Sequence, residues 1–67
     1  MYDMIRNGKK LIELRGNRSR AAVASDVGIS ESALAMYEAG QRNPRDDVKL
    51  SLANYYGVSV AFLFFNQ

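Results

Sequence analysis

Apolar residues recur along the chain in short helical blocks, each closed by glycine, serine or proline. The first block, with Met4, Ile5, Leu11, Ile12 and Leu14 as its apolar positions, predicts a helix over Met4–Arg15 with Asp3 as its cap. Gly8 inside that helix costs roughly 1 kcal/mol relative to alanine. Lys9, Lys10 and Arg15 lie toward its C-terminal half, where they complement the dipole, and Gly16-Asn17 stops it. Two shorter blocks follow, from Arg20 to Val27 and from Glu31 to Ala39, joined by a tight turn at Gly28-Ile29-Ser30. Ser19 and Ser30 stand where an N-cap hydroxyl is wanted, and Gly28 and Gly40 stand just past helix ends. A polar connection, Gln41 to Pro44, leads to a fourth helix. Pro44 suits its first position, Asp46 and Asp47 put negative charge at its start, and Gly57 ends it after Tyr56. Ser59 caps a last short helix from Val60 to Phe65.

The pattern permits one rival. Val48, Leu50 and Leu52, and then Val58, Val60, Phe62 and Phe64, are spaced by two, as in a pair of strands. The Pro-Asp-Asp start and the Gly57 stop favour helices, and no two-residue hairpin turn separates the two passages. The expected fold is therefore all-α, five helices in one compact domain over residues 1–67, with no repeat, low-complexity tract or linker.

Composition narrows the chemistry more than the fold. With 67 residues there is room for one small core. The absence of cysteine excludes disulfides and thiolate sites and fits a reducing compartment. The absence of histidine removes the commonest general base and metal ligand. With no clustered carboxylate pair or glycine-rich phosphate loop either, an enzyme is not expected, nor is a cofactor, a metal or a small-molecule ligand. The longest apolar run, Val60 to Phe65, is too short to span a bilayer, and MYDMIRNGKK lacks the layout of a signal peptide. The net charge of +2 is compatible with a polyanionic partner without arguing for one.

The centre of the chain, SRAAVASDVGISESALAMYEAG from Ser19 to Gly40, carries the functional signal. Ala24 is small enough for two helices to cross closely, while Val23, Val27, Ile29, Leu34 and Tyr37 supply the surface they bury. The result is a helix-turn-helix over about residues 20–39, whose second helix is available to a DNA major groove. Ala24, Gly28, Ile29, Ser30, Leu34, the Tyr37-Glu38-x-Gly40 run, the Arg42-x-Pro44 exit and Tyr56-Gly57-Val58 together resemble the Cro/CI-type (Xre) helix-turn-helix family of phage and mobile-element regulators. The resemblance runs from about Leu11 to Phe65 and implies a lambda-repressor-like domain. It also implies a cytoplasmic, nucleoid-associated repressor acting on double-stranded DNA.

In that family the equivalents of Ser30, Glu31, Ser32, Ala35 and Met36 approach base edges and flanking phosphates. Because Leu34 and Tyr37 must face inward, Glu31, Ser32, Ala35 and Met36 fall on the outer face. Ser32 can donate or accept, Glu31 can accept from a cytosine amine, and Ala35 or Met36 can pack on a thymine methyl. Glu31 can equally stabilise its own helix start, and Met36 can be an ordinary surface residue. This helix departs from many relatives in having no basic residue, so phosphate anchoring is assigned to Arg18, Arg20, Arg42, Asn43 and Arg45. Arg20 has the further option of a guanine O6/N7 pair. The competing reading of these arginines is pairing with Asp26, Asp46 or Asp47 on a solvated surface. Tyr37 and Glu38 read as structural, with Glu38 expected to pair with Lys10.

Phe62, Leu63, Phe64 and Phe65 crowd a terminus that a small domain cannot bury completely. Relatives often pair through the last helix, so the expected partner there is a second copy, through Tyr55 and Phe62 to Phe65. The expected mode is a homodimer on an inverted repeat with half-sites about one helical turn apart. The competing function is a protein-interaction module, of antitoxin or anti-repressor type, built on the same fold.

Overall fold

The computed structural model describes residues 3–65, which form five helices and no strand; the outermost positions of the expected domain lie outside the described residues. In chain order these are α1 (Met4–Arg15), α2 (Arg20–Val27), α3 (Glu31–Glu38), α4 (Asp46–Tyr56) and α5 (Val60–Phe64). Neither passage that alternates by two forms a strand: the first lies in α4, and the second is α5 preceded by Val58 in the bend before it, which removes the winged alternative. The cap expectations hold. Asp3, Ser19, Ser30 and Ser59 each accept a hydrogen bond from the backbone N–H three residues on, at 3.0–3.1 Å. Each such cap stabilises its helix by about 1 kcal/mol.

Three helix ends differ from expectation, the slightest being that of α5, which closes at Phe64 with Phe65 as its cap. α3 closes at Glu38 with Ala39 as its cap, because Gln41 N–H reaches back to Met36 O and Gly40 N–H to Tyr37 O. That pair of bonds is a Schellman closure, and it requires the left-handed backbone that Gly40 adopts at φ +73°. α4 starts at Asp46, two residues later than Pro44. Arg45 is extended at φ −68°, ψ 164°, so no helical turn can run through from the proline, which is buried in the connection instead. Arg45 offers no side-chain cap, and the Asp47 carboxylate accepts from Val48 N–H in its place.

The core joins Leu11 from α1, Val23 and Ala24 from α2, and Leu34 and Tyr37 from α3 to residues of α4 and α5. Of the apolar positions assigned to α1, Leu11 alone is fully buried; Leu14 is half-buried, and Met4, Ile5 and Ile12 are exposed. The face that α1 turns inward carries Asn7, Gly8 and Leu11. Gly8 explains this choice. A Cβ there would overlap the Glu38 carbonyl oxygen and stand 2.8 Å from the Tyr37 oxygen, so α1 lies backbone to backbone on the end of α3. Gly40 completes the same seam, 2.8 Å from the Ile5 Cα by the same measure. The glycine that weakens α1 as an isolated helix is what lets it dock.

α5 has five residues and depends on α1 for its end. Lys10 Nζ donates to the Phe62 carbonyl at 2.7 Å, and Asn7 Nδ2 to the Phe64 carbonyl at 3.5 Å. These are two of the acceptors that a helix C-terminus leaves without an internal donor. Leu63 and Phe64, grouped above with the pairing surface, are 0% and 1% exposed and belong to the core. In a helix of one and a half turns, two consecutive residues fill the interior, which turns Phe62 and Phe65 outward.

Candidate nucleic-acid interface

α2 and α3 meet through Val23, Ala24, Leu34 and Tyr37, all buried, with Gly28 closing the first helix and Ser30 capping the second. The motif therefore lies where the spacing predicts, over residues 20–38. Burying Leu34, Tyr37 and Glu38 leaves Glu31 and Ser32 exposed and Ala35 and Met36 half-exposed on one outward face. Among the described residues, none of these four side chains has a hydrogen bond or ion pair with the rest of the chain. Ser30 is different, because its hydroxyl already accepts from Ala33 N–H at 3.0 Å.

At the far end of that face the polypeptide opens a cleft of about 380 Å³. Ile29, Ser30 and Ala33 line one side, and Arg42, Asn43 and Arg45 the other. The three polar residues of the exit loop are exposed, and Arg45 makes only a long surface pair with Asp47, 3.7 Å apart. A pair that open to solvent contributes little and yields readily to a phosphate.

Glu38 organises the opposite end. Its carboxylate, 5% exposed, accepts from Arg15 Nε at 2.8 Å and from Arg15 Nη2 at 3.2 Å. Arg20 Nε lies 3.4 Å from Oε1, the oxygen that Arg15 Nη2 also reaches. Lys10 was the expected partner, and it is not used. It lies five residues before Arg15, about 140° away around the helix, and its ammonium goes to α5. The hydrogen bond to Glu38 raises the Arg15 pKa above its ordinary value, against an opposing effect of burial. One buried carboxylate thus ties together α1, the first turn of α2 and the end of α3. Arg15 carried no assignment from the sequence; its place in the last turn of α1 was a signal for dipole complementarity only.

Arg18 is committed elsewhere. It donates to the Leu14 carbonyl at 3.0 Å and the Arg15 carbonyl at 3.3 Å, and its guanidinium lies about 5.5 Å from the Tyr55 and Tyr56 rings. These contacts fasten the short α1–α2 linker to α4. Tyr55 is held in the same group, donating its hydroxyl to Asp26 at 3.0 Å. The expected phosphate ligands therefore divide. Arg42, Asn43 and Arg45 converge on one cleft, Arg20 lies at the other end, and Arg18 serves the scaffold.

The Helix-turn-helix family model (HTH_3) matches residues 9–63, which contain the α2–α3 pair, the Glu38 junction and the exit loop. The chain belongs to this family. It is a DNA-binding helix-turn-helix regulator of the Cro/CI (Xre) type, as the Tyr-Glu-x-Gly run and the glycine-valine pair lead one to expect. No curated protein and no solved structure matches the chain. Among the described residues of this Xre-type domain, no helix is long and apolar enough to cross a membrane.

Proposed function

We propose that this Xre-type protein is a sequence-specific repressor of phage or mobile-element type that binds a short inverted repeat as a homodimer. α3 enters the major groove, and each half-site is one helical turn from the next. The observation that carries this reading is the outward face of α3, with Glu31, Ser32, Ala35 and Met36 uncommitted and arginines at both ends. Ser32 hydrogen-bonds a base edge, while Ala35 and Met36 pack on thymine methyl groups. Arg42, Asn43 and Arg45 hold backbone phosphates beside the start of α4. With no base in α3 itself, sequence-dependent DNA shape contributes to specificity. Repression follows from occupying a promoter, and the site of action is the cytoplasmic nucleoid.

Pairing of two copies uses the apolar side chains that α5 leaves outside. Phe62 is 50% exposed and Phe65 45%, and the half-buried Tyr55 of the preceding helix is the third residue assigned to the pairing surface. The test is selection from a random duplex pool at near-physiological salt, with sedimentation of the protein free and on the selected duplex. An enriched inverted repeat bound by two copies is the expected result. Retention without enrichment, lost smoothly as salt rises, would overturn sequence-specific reading. A protein partner retained after nuclease treatment, with no enriched DNA, would favour the interaction-module function instead.

A further inference from the structure

We propose that Arg20 is a guanine-reading residue and that Glu38 is the positioning residue that aims it. This rests on the DNA-binding reading above and adds a base contact from outside the recognition helix. The commonest specific contact to a base is an arginine fork on guanine O6 and N7, and α3 has no side chain that can make one. Arg20, in the first turn of α2, does not point away into solvent. It lines a cleft of about 220 Å³ together with Ala35 and Glu38 of α3, the cap residue Ala39, and Ile12 and Arg15 of α1. Ala35 is the outward residue in the middle of α3, so the guanidinium lies against the groove-facing surface itself.

The way Arg20 is held matters as much as where it lies. Its nearest approach to Glu38 is an ion pair through Nε, 3.4 Å from Oε1, with no hydrogen bond between the two groups. Among the described residues, no acceptor takes a hydrogen bond from its Nη1 or Nη2. A guanidinium held by its Nε side presents its outer edge, two parallel N–H groups, to an acceptor pair. Glu38 cannot swing out to follow it, because Arg15 fixes the carboxylate with two hydrogen bonds on the buried side. Two cations also share one carboxylate, so a positive charge remains at the mouth of the cleft, where the Arg20 side chain is 43% exposed. Ala35 contributes only a methyl group beside it, which leaves room for a base edge. An anchored fork loses less rotamer freedom on binding than a free arginine does. A phosphate contact would need only the charge, whereas pairing through Nε leaves the two Nη groups available together to an acceptor pair.

The test follows the duplex selection with the intact chain and its variants Arg20→Lys and Arg20→Ala. Wild-type protein is expected to prefer one G·C pair in each half-site by roughly 5- to 150-fold, the range of a bidentate contact. Both variants should lose that preference and keep the others, lysine failing to rescue because it lacks the fork. Replacing that guanine by 7-deazaguanine should weaken wild type and leave Arg20→Ala unchanged. Glu38→Gln should relax the same position if it folds. Independently of that variant, the Arg20 side chain should show nuclear Overhauser contacts to the Ala35 methyl group in the free protein, because the two line one cleft. Uniform loss across all sequences, with the salt slope reduced by about 1, would make Arg20 a phosphate ligand and overturn the proposal. An Arg20 side chain without those contacts, averaged over its rotamers, would overturn the role of Glu38. A selected motif that Arg20→Lys leaves intact defeats this inference alone, whereas no motif from wild type defeats the repressor reading with it.

Discussion

Gly8→Ala sets two physical effects against each other with opposite signs. In an isolated helix, alanine is better than glycine by about 1 kcal/mol, so propensity predicts a more stable protein. In the folded domain the new methyl group overlaps the Glu38 carbonyl oxygen and lies 2.8 Å from the Glu38 carbon and the Tyr37 oxygen. All three are backbone atoms of the last turn of α3, so no side chain can rotate aside. α1 must lift by several tenths of an ångström, which loosens Leu11 in the core and stretches the Arg15–Glu38 bonds. Overpacking of this kind costs about 1–3 kcal/mol, with the upper part of the range fitting an unyielding neighbour. Set against the propensity gain, the net loss is about 1–2 kcal/mol, using the same two effects. For a domain of this size that lowers Tm by about 4–16 °C. Thermal unfolding followed by circular dichroism, with urea unfolding at fixed temperature, measures it directly. An unchanged or higher Tm would refute the close approach of α1 to α3.

Three further outcomes follow from single side chains. Tyr56→Phe removes a buried hydroxyl that has no hydrogen-bond partner among the described residues, so stability should hold or rise by up to about 1 kcal/mol in urea unfolding. The folded state holds the Tyr56 pKa above its ordinary 10.0, through burial first and the Glu38 charge second. Its share of stability is therefore full below about pH 10 and falls as pH rises further, a loss that Tyr56→Phe should lack in alkaline unfolding. Leu63→Ala should cost about 2–5 kcal/mol because it empties a core site, while Phe62→Ala on the outer face should cost under about 1 kcal/mol and instead weaken self-association in sedimentation. Equal costs would contradict the division of α5 into an inner and an outer face. Arg45→Ala should weaken binding alike on all duplexes and reduce the salt slope by about 1, and a change at a single base position would contradict its assignment to phosphate.

The local chemistry of this chain is written in its residue types. Ser19, Ser30 and Ser59 are helix caps wherever the chain puts them, because their hydroxyls satisfy N–H groups a few atoms away. The five helices, the helix-turn-helix and the outward set Glu31, Ser32, Ala35 and Met36 follow from such short-range rules and from helical periodicity. Partner choice between distant segments does not. Lys10 and Arg15 are equally plausible mates for Glu38 by charge, and only the docking angle of α1, set by Gly8 against the α3 backbone, brings Arg15 to it. That angle also turns Met4, Ile5 and Ile12 outward, contrary to their apolar character, and sends Lys10 to the end of α5. The same limit applies to α5, where four consecutive apolar residues show no preference in sequence for inside or outside. Packing against α1 and α4 buries Leu63 and Phe64 and leaves Phe62 and Phe65 to solvent. Arg18 and Arg20 differ by two positions and look alike in the sequence, yet one binds the scaffold and the other lies beside α3. Long side chains with several donors take whatever acceptors the assembled helices present, and those acceptors exist as sites only after the helices have packed.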